Sequence, residues 1–291
     1  MAASTGLEES FPRVVAHELG TTRIPARPRR VVAVTDGAEL ASLLALGVRP
    51  VGFGQRNEPL RPWIASAGGN RVARYRIAGS EVSFERMVAW RPDLLLVQVG
   101  FATRENLGQF TAIAPTVVTS FVDWRESLRE VAEATGTTGR AKELVAANEA
   151  AIAATRLALS DKKGLKVEAI SVFEGPQVYR LNSASPLGKL APAVGLAPFP
   201  EQESPGEAVE TLPLEKLPDI DADVLILQRF SGNEDGDAVH RSLQQRAIWK
   251  RIPAVAAGRV VELNEDEADA SYFDSVLTVP LNLRMLRDRL G

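Results

Sequence analysis

The sequence predicts an α/β protein of two similar lobes with mainly parallel central sheets, joined by one long helix. Three observations predict it. Strand-like apolar runs alternate with helical patterns in each half of the chain, the grammar of parallel α/β units. A fifteen-residue stretch recurs 130 positions on, as FERMVAWRPDLLLVQ at 84–98 and LEKLPDIDADVLILQ at 214–228. Residues 124–163, between the halves, carry no strand signal. The resulting division is 1–123 for an N-terminal lobe, 124–163 for a helical linker and 164–291 for a C-terminal lobe, with a ligand cleft expected between lobes.

The elements follow in order. Residues 29–35 (RRVVAVT) read as a buried strand bounded by the turn Asp36-Gly37. Residues 38–46 are helical and stop at Gly47, and 50–54 form a second strand. Ser83 caps a short helix with Phe84, Met87 and Val88 on one face and Glu85 in its first turn. Residues 93–99 make a strand, 103–113 a helix and 116–119 a short strand. From Thr138 to Ser160 there is no Pro and only the early Gly139, so one helix of roughly 33 Å fits there. A stiff helix of that kind permits little hinge bending. In the second half, strands are expected at 166–173, 223–228 and 259–264, and helices at 186–194, 212–217 and 275–290.

The repeat keeps Glu85/Glu215, Asp93/Asp223, Leu95/Leu225 and Gln98/Gln228. A second echo, ALGVRP at 45–50 and AVGLAP at 193–198, sits at a helix-to-strand junction in each half. Its offset is 148 rather than 130, so the lobes differ in their insertions.

Composition narrows the chemistry. An apolar fraction of 45% with 24% charge is ordinary for a folded chain, and a net charge of −3 argues against nucleic acid as the main partner. There is no run of 18 apolar residues. The opening MAASTGLEESFPR lacks the basic and apolar regions of a signal peptide, which leaves a cytosolic protein or a processed, exported one. Cysteine is absent and His17 and His240 are the only histidines, so a protein-held zinc, copper or haem-histidine site has almost no ligands to draw on. No GxSxG or P-loop occurs, and Gly52-Phe53-Gly54 lacks the third glycine of a dinucleotide fingerprint. Basic residues divide into 27 Arg and 7 Lys, a bias that reads first as genome composition.

Binding remains. In α/β lobes ligands gather beyond the carboxyl ends of the strands. Those places hold Phe53, Gln55 and Arg56, Gln98 and Phe101, Phe173, Tyr179 and Arg180, and Arg229 and Phe230. Trp63, Tyr75 and Tyr272-Phe273 lie in loops able to reach the same space. Aromatic walls with a few cations suit a partly planar, anionic ligand.

These residues resemble those of a known family: the substrate-binding proteins of ABC importers for ferric siderophores, haem and cobalamin. IPARPRRVVAVTDGAELASLLALGVRPVGFG at 24–54 is similar to the family's opening, SFERMVAWRPDLLLV to its first-lobe helix and strand, and IWKRIPAVAAGRVVEL at 248–263 to its late signature. The resemblance implies two α/β lobes bridged by one helix, and a monomeric, extracytoplasmic, periplasmic or lipid-anchored protein that is not an enzyme. It would deliver a ferric siderophore to an ABC permease. It would need no cofactor, because the siderophore supplies every iron ligand. It also implies that Glu85 and Glu215, one on each lobe, meet arginines of the permease. A tris-catecholate complex is anionic and favours several cations. A hydroxamate complex is near neutral and needs one or two, so Arg56, Arg180 and Arg229 give a slight preference for a catecholate-containing or mixed ligand. Cobalamin or haem is the alternative within the family, with Tyr75, Tyr179 or Tyr272 available to haem iron. A two-lobed α/β enzyme and a scaffold binding protein in its groove are the alternatives outside it.

Overall fold

The computed structural model describes residues 10–291 apart from 57–58, 80, 122, 173–176, 204–206 and 230–233, with backbone alone at 229, 234–237 and 239. The chain divides into two compact units: Met1–Asn148 with Asp274–Leu277, and Glu149–Phe273 with Thr278–Gly291.

The first unit opens with an antiparallel hairpin, β1 (Arg13–His17) and β2 (Gly20–Ile24). Its sheet has five strands, β3 (Val31–Ala33), β4 (Gly52–Gln55), β5 (Arg74–Arg76), β6 (Leu94–Gln98) and β7 (Thr116–Thr119), all parallel in the order β5-β4-β3-β6-β7. The helices are α1 (Ala38–Ala45), α2 (Pro62–Ser66), α3 (Phe84–Ala89), α4 (Leu107–Thr111) and α5 (Trp124–Thr135). β3 and β6 are apolar on both faces, and Val32, Val34, Leu95 and Val97 pack with Met87 and Phe110 in one core. Gly52 must be a glycine: a Cβ there would lie about 2.4 Å from the Trp90 ring. The hairpin is tied to the sheet by Thr22 Oγ1, which donates to Thr116 O at 2.5 Å. Arg13 Nη1 ties it to α5 through Glu133 O at 2.7 Å.

α5 starts at an Asp123 cap and ends on Gly136 in the left-handed conformation. Residues 124–135 therefore fall within the first unit, where the sequence division had set them in a separate linker. α6 (Thr138–Ala158) runs unbroken across the boundary between the units at 148–149, as its lack of Pro anticipated.

The second unit has a mixed sheet. β8 (Val167–Val172), β11 (Val224–Arg229) and β12 (Val260–Glu262) are parallel. β9 (Val178–Leu181) and β10 (Val209–Leu212) add antiparallel strands, giving the order β10-β9-β8-β11-β12. Its helices are α7 (Pro186–Ala193), α8 (Glu234–Gln245), α9 (Pro253–Ala256), α10 (Glu265–Tyr272) and α11 (Val279–Leu290). The expected helix at 212–217 is instead the end of β10 followed by a 3-10 turn, Leu214–Asp219. Pro213 and Pro218 remove the amide donors a longer helix needs. The expected terminal helix at 275–290 is present as α11, starting at Val279; ahead of it lies a helix that sequence reasoning missed, α10, which begins on an Asn264–Glu267 capping box.

Much of the repeat now has a physical cause. Asp93 Oδ2 and Oδ1 accept from the backbone N–H groups of Arg29 and Arg30 at 2.8 Å each, just ahead of β3. Asp223 Oδ2 accepts from Lys166 N at 3.0 Å, just ahead of β8. Each aspartate pins the start of its own central strand to that of the neighbouring parallel strand. Leu95 and Leu225 are wholly buried core residues.

Candidate functional site

Each unit is built outward from its strand ends. In the first, the carboxyl edge is formed by the chain leaving β3, β4, β6 and β7, and it is polar yet buried. Asp36 and Arg61 form an ion pair at 2.8 Å with side chains only 1% and 4% exposed. Glu39 is fully buried, and its Oε1 accepts from Thr35 N at 3.0 Å and Thr35 Oγ1 at 2.5 Å. Its Oε2 is buried without a hydrogen-bond partner among the described residues. Burial, with a smaller push from Asp36, raises this carboxyl to about 7. Gly37 lies against the group, since a Cβ there would come within about 2.4 Å of Gln98 Oε1 and 2.9 Å of Glu39 Oε2. Glu130 on α5 repeats the device at β7: its Oε2 accepts from Ser120 N at 2.8 Å, and burial lifts it to about 7 as well.

Around this layer the predicted residues separate. Arg56 is exposed, with its guanidinium 5.3 Å from the centre of the half-buried Phe101 ring, a cation–π contact at the end of β4. Gln55 and Gln98 are buried at the ends of β4 and β6, and Trp63 is buried on α2. Tyr75 is a correction. It is not a loop residue open to ligand: it lies in β5 with its ring 5.8 Å from Trp90 in the first-unit core, and burial pushes its hydroxyl up to about 12. Phe53 is likewise fully buried core.

In the second unit, Gln228 sits at the end of β11 as the hub of a buried polar chain. Ser171 Oγ donates to Gln228 Oε1, Gln228 Nε2 donates to Ser271 Oγ at 2.6 Å, and Ser271 Oγ donates to Ala268 O at 2.9 Å. This chain fixes α10, whose last residue Tyr272 is half-buried with its ring 5.4 Å from Phe273. Tyr179 is half-buried and its hydroxyl donates to Gln177 Oε1 at 2.8 Å.

Arg180 is the second correction. Reading it as a carboxyl-end residue assumed that β9 runs with its neighbours, but β9 is antiparallel to β8, with Val178 opposite Val172 and Arg180 opposite Ile170. Arg180 therefore lies toward the amino end of the parallel strands, bonded to Glu168 Oε2 through Nη2 at 2.7 Å and Nε at 2.8 Å. Burial raises the Glu168 carboxyl, and the guanidinium opposes that shift. Arg229 is the last residue of β11, with its backbone alone described, and Phe173 and Phe230 lie outside the described residues.

Glu85 and Glu215 are both exposed, at the start of α3 and in the Leu214–Asp219 turn. Neither makes an ion pair or a side-chain hydrogen bond among the described residues. Sequence reasoning overlooked Asp36, Glu39, Arg61 and Ser271. Two acids inside the apolar run AVTDGAELASLLALG were a usable signal for the first two. Among the described residues no three His, Cys, Asp or Glu side chains group as a metal site, and no helix is long and apolar enough to cross a membrane.

Comparison with known proteins agrees with this architecture. The chain is 26% identical over 279 residues to the probable siderophore-binding lipoprotein YfiY of Bacillus subtilis, covering 91% of this chain and 84% of that protein. It is 27% identical over 285 residues to the iron(3+)-hydroxamate-binding protein FhuD of the same organism, covering 94% and 84%. In fold it matches Staphylococcus aureus SirA complexed with staphyloferrin B, with a TM-score of 0.81 at 20% identity over 96% of this chain and 98% of that one. Bacillus subtilis FeuA complexed with ferri-bacillibactin gives a TM-score of 0.79 at 18% identity, covering 96% and 98%. The sequence profile described as periplasmic binding protein matches residues 32–267, most of the chain. The protein is thus a binding protein rather than an enzyme, and it belongs to the periplasmic binding protein family.

Proposed function

We propose that this protein captures a ferric siderophore outside the cytoplasm and delivers it, as a monomer, to an ABC importer permease. The near full-length match to a siderophore-binding lipoprotein supports this reading most directly. The protein need hold no iron of its own, because the siderophore brings the ligand oxygens. The chain's task is to present a shaped, partly cationic surface, and the exposed Arg56 above Phe101 is a part suited to it.

The preference for a catecholate-containing or mixed siderophore rested on three arginines. With Arg180 neutralised by Glu168, that preference keeps Arg56 and the position of Arg229. The same pairing favours a second reading, a near-neutral ferric hydroxamate, which needs fewer cations. Glu85 and Glu215 support permease docking. Of the four repeated identities, the aspartates, leucines and glutamines are buried or bonded within their lobes, whereas the two glutamates are exposed.

Quenching of intrinsic tryptophan fluorescence by a panel of ferric catecholates, ferric hydroxamates, haem and cobalamin tests the ligand class. Saturable quenching by one iron–siderophore class supports the proposal. Tight binding of cobalamin or haem, with no response to any siderophore, would overturn it.

A further inference from the structure

The amino edge of the first-unit sheet carries a band of cations that ligand capture does not use. Because β5, β4, β3 and β6 are mutually parallel, the residues entering them line one edge. Those residues are Arg29 and Arg30 ahead of β3, Arg49 ahead of β4, Arg71 and Arg74 at the start of β5, and Arg91 ahead of β6, all exposed. None of the six forms an ion pair with a carboxylate among the described residues. Arg30 donates to Trp90 O and Arg91 O, and Arg49 to Arg71 O, contacts that hold the cations in place and leave their charge uncompensated. The acid beside them, Asp93, is spent on the backbone N–H groups of Arg29 and Arg30. On neighbouring α3 the exposed Glu85 and Arg86 cancel.

The second unit offers an internal control. At the matching edge, Lys166 is paired to Asp221 at 2.5 Å and Lys216 to Asp219 at 3.4 Å, ion pairs of a kind that the first-unit band lacks among the described residues. The net charge of −3 makes the first-unit band a local field and not a property of the whole chain.

We infer that the amino edge of the first lobe is a docking surface for an anionic phospholipid bilayer. Strands about 4.8 Å apart place the four strand entries along roughly 15 Å, a span that faces several lipid headgroups at once. Guanidinium groups bond phosphate oxygens in bidentate fashion, and basic residues at an anionic leaflet each add to binding within a Debye length. The inference rests on the proposed function for one point alone, that the protein works beside a membrane.

Flotation with phosphatidylcholine vesicles, with and without about 30% phosphatidylglycerol, tests this. The unmodified protein is expected to float with the anionic vesicles in about 50 mM salt, to fall away by about 300 mM, and to ignore pure phosphatidylcholine. Arg49→Glu with Arg71→Glu and Arg74→Glu is expected to weaken vesicle binding at least about tenfold. The set Lys163→Glu, Lys166→Glu and Arg259→Glu in the second lobe should change it less than about twofold. Arg→Gln at the same three first-lobe positions repeats the test with less risk to folding. Absence of binding at low salt, binding that ignores salt, or an equal loss in both lobe sets would overturn the inference. So would tighter capture of duplex DNA than of the vesicles. Siderophore quenching on the same variants keeps the two readings apart: vesicle binding by a protein that answers to no siderophore upholds the lipid surface and counts against the proposed ligand.

Discussion

At the scale of single residues, three arginines have three different fates. Arg56 is exposed over an aromatic ring, Arg61 is buried against Asp36, and Arg180 is bonded to Glu168. A charge-assisted hydrogen bond contributes about 1.5–3 kcal/mol. Arg56→Ala is therefore expected to weaken ferric siderophore binding about 10- to 150-fold in a fluorescence titration. Arg180→Ala should leave affinity within about twofold and instead lower the denaturation midpoint, because Glu168 loses its partner in a site only 9% exposed. If Arg180→Ala abolished binding with the fold intact, the placement of β9 would be wrong. Glu39 and Glu130 make a prediction in pH. Both carboxyls are raised above the unfolded value near 4.5 to about 7. The folded state therefore favours their protonated forms, so the stability they contribute is fully present below about pH 4.5 and is lost as pH rises through 7. Glu39→Gln should flatten the loss between pH 5 and about 8 in urea unfolding, and an unchanged pH slope would show that the carboxyl ionises freely.

Among elements, β11 does the most. It lies between β8 and β12 in its sheet, Asp223 clamps its start, and Gln228 at its end links β8 to α10. Replacing Gln228 by Leu takes the acceptor from the buried Ser171 hydroxyl and the donor from Ser271 Oγ, which keeps only its bond to Ala268 O. The expected cost is about 2–4 kcal/mol from the lost partners, measured by denaturant unfolding. Gln228→Glu offers an instructive contrast, since a carboxylate would keep the acceptor but lose the donor to Ser271. α6 sets a second expectation at this scale. A single helix of 21 residues spanning the unit boundary resists bending. Small-angle scattering profiles with and without ligand should accordingly be close, and a shift of several ångströms in radius of gyration would contradict a stiff connection.

For the whole molecule, capture and delivery should separate. Glu85 and Glu215 are exposed and their side chains make no ion pair or hydrogen bond among the described residues, so Glu85→Arg with Glu215→Arg should leave folding and ligand quenching unchanged. Opposite a permease's arginines the reversed charges would repel, a contact costing several kcal/mol at an interface. Uptake through a reconstituted importer is expected to fail in the double variant while affinity is retained. Normal uptake would leave the repeated glutamates as a trace of common lobe ancestry, and lost affinity would place them at the ligand.

Sequence alone determined the two α/β lobes, the helix through 138–158, the central strands β3, β6, β8 and β11, and the paired glutamates. These follow from local periodicity, proline and glycine placement and an internal repeat, all carried by neighbouring residues. Only the tertiary structure decided which way β9 runs, and with it which end of the sheet receives Arg180. Nothing in VYRL distinguishes a parallel from an antiparallel neighbour. It alone also joined Asp36 to Arg61 across 25 positions and Gln228 to Ser271 across 43, because a buried charge or amide is satisfied by whatever the fold brings within bonding distance. Tyr75 shows the same limit from the other side. An aromatic between two arginines reads as a surface residue, yet strand alternation turns both arginines outward and the ring into the core.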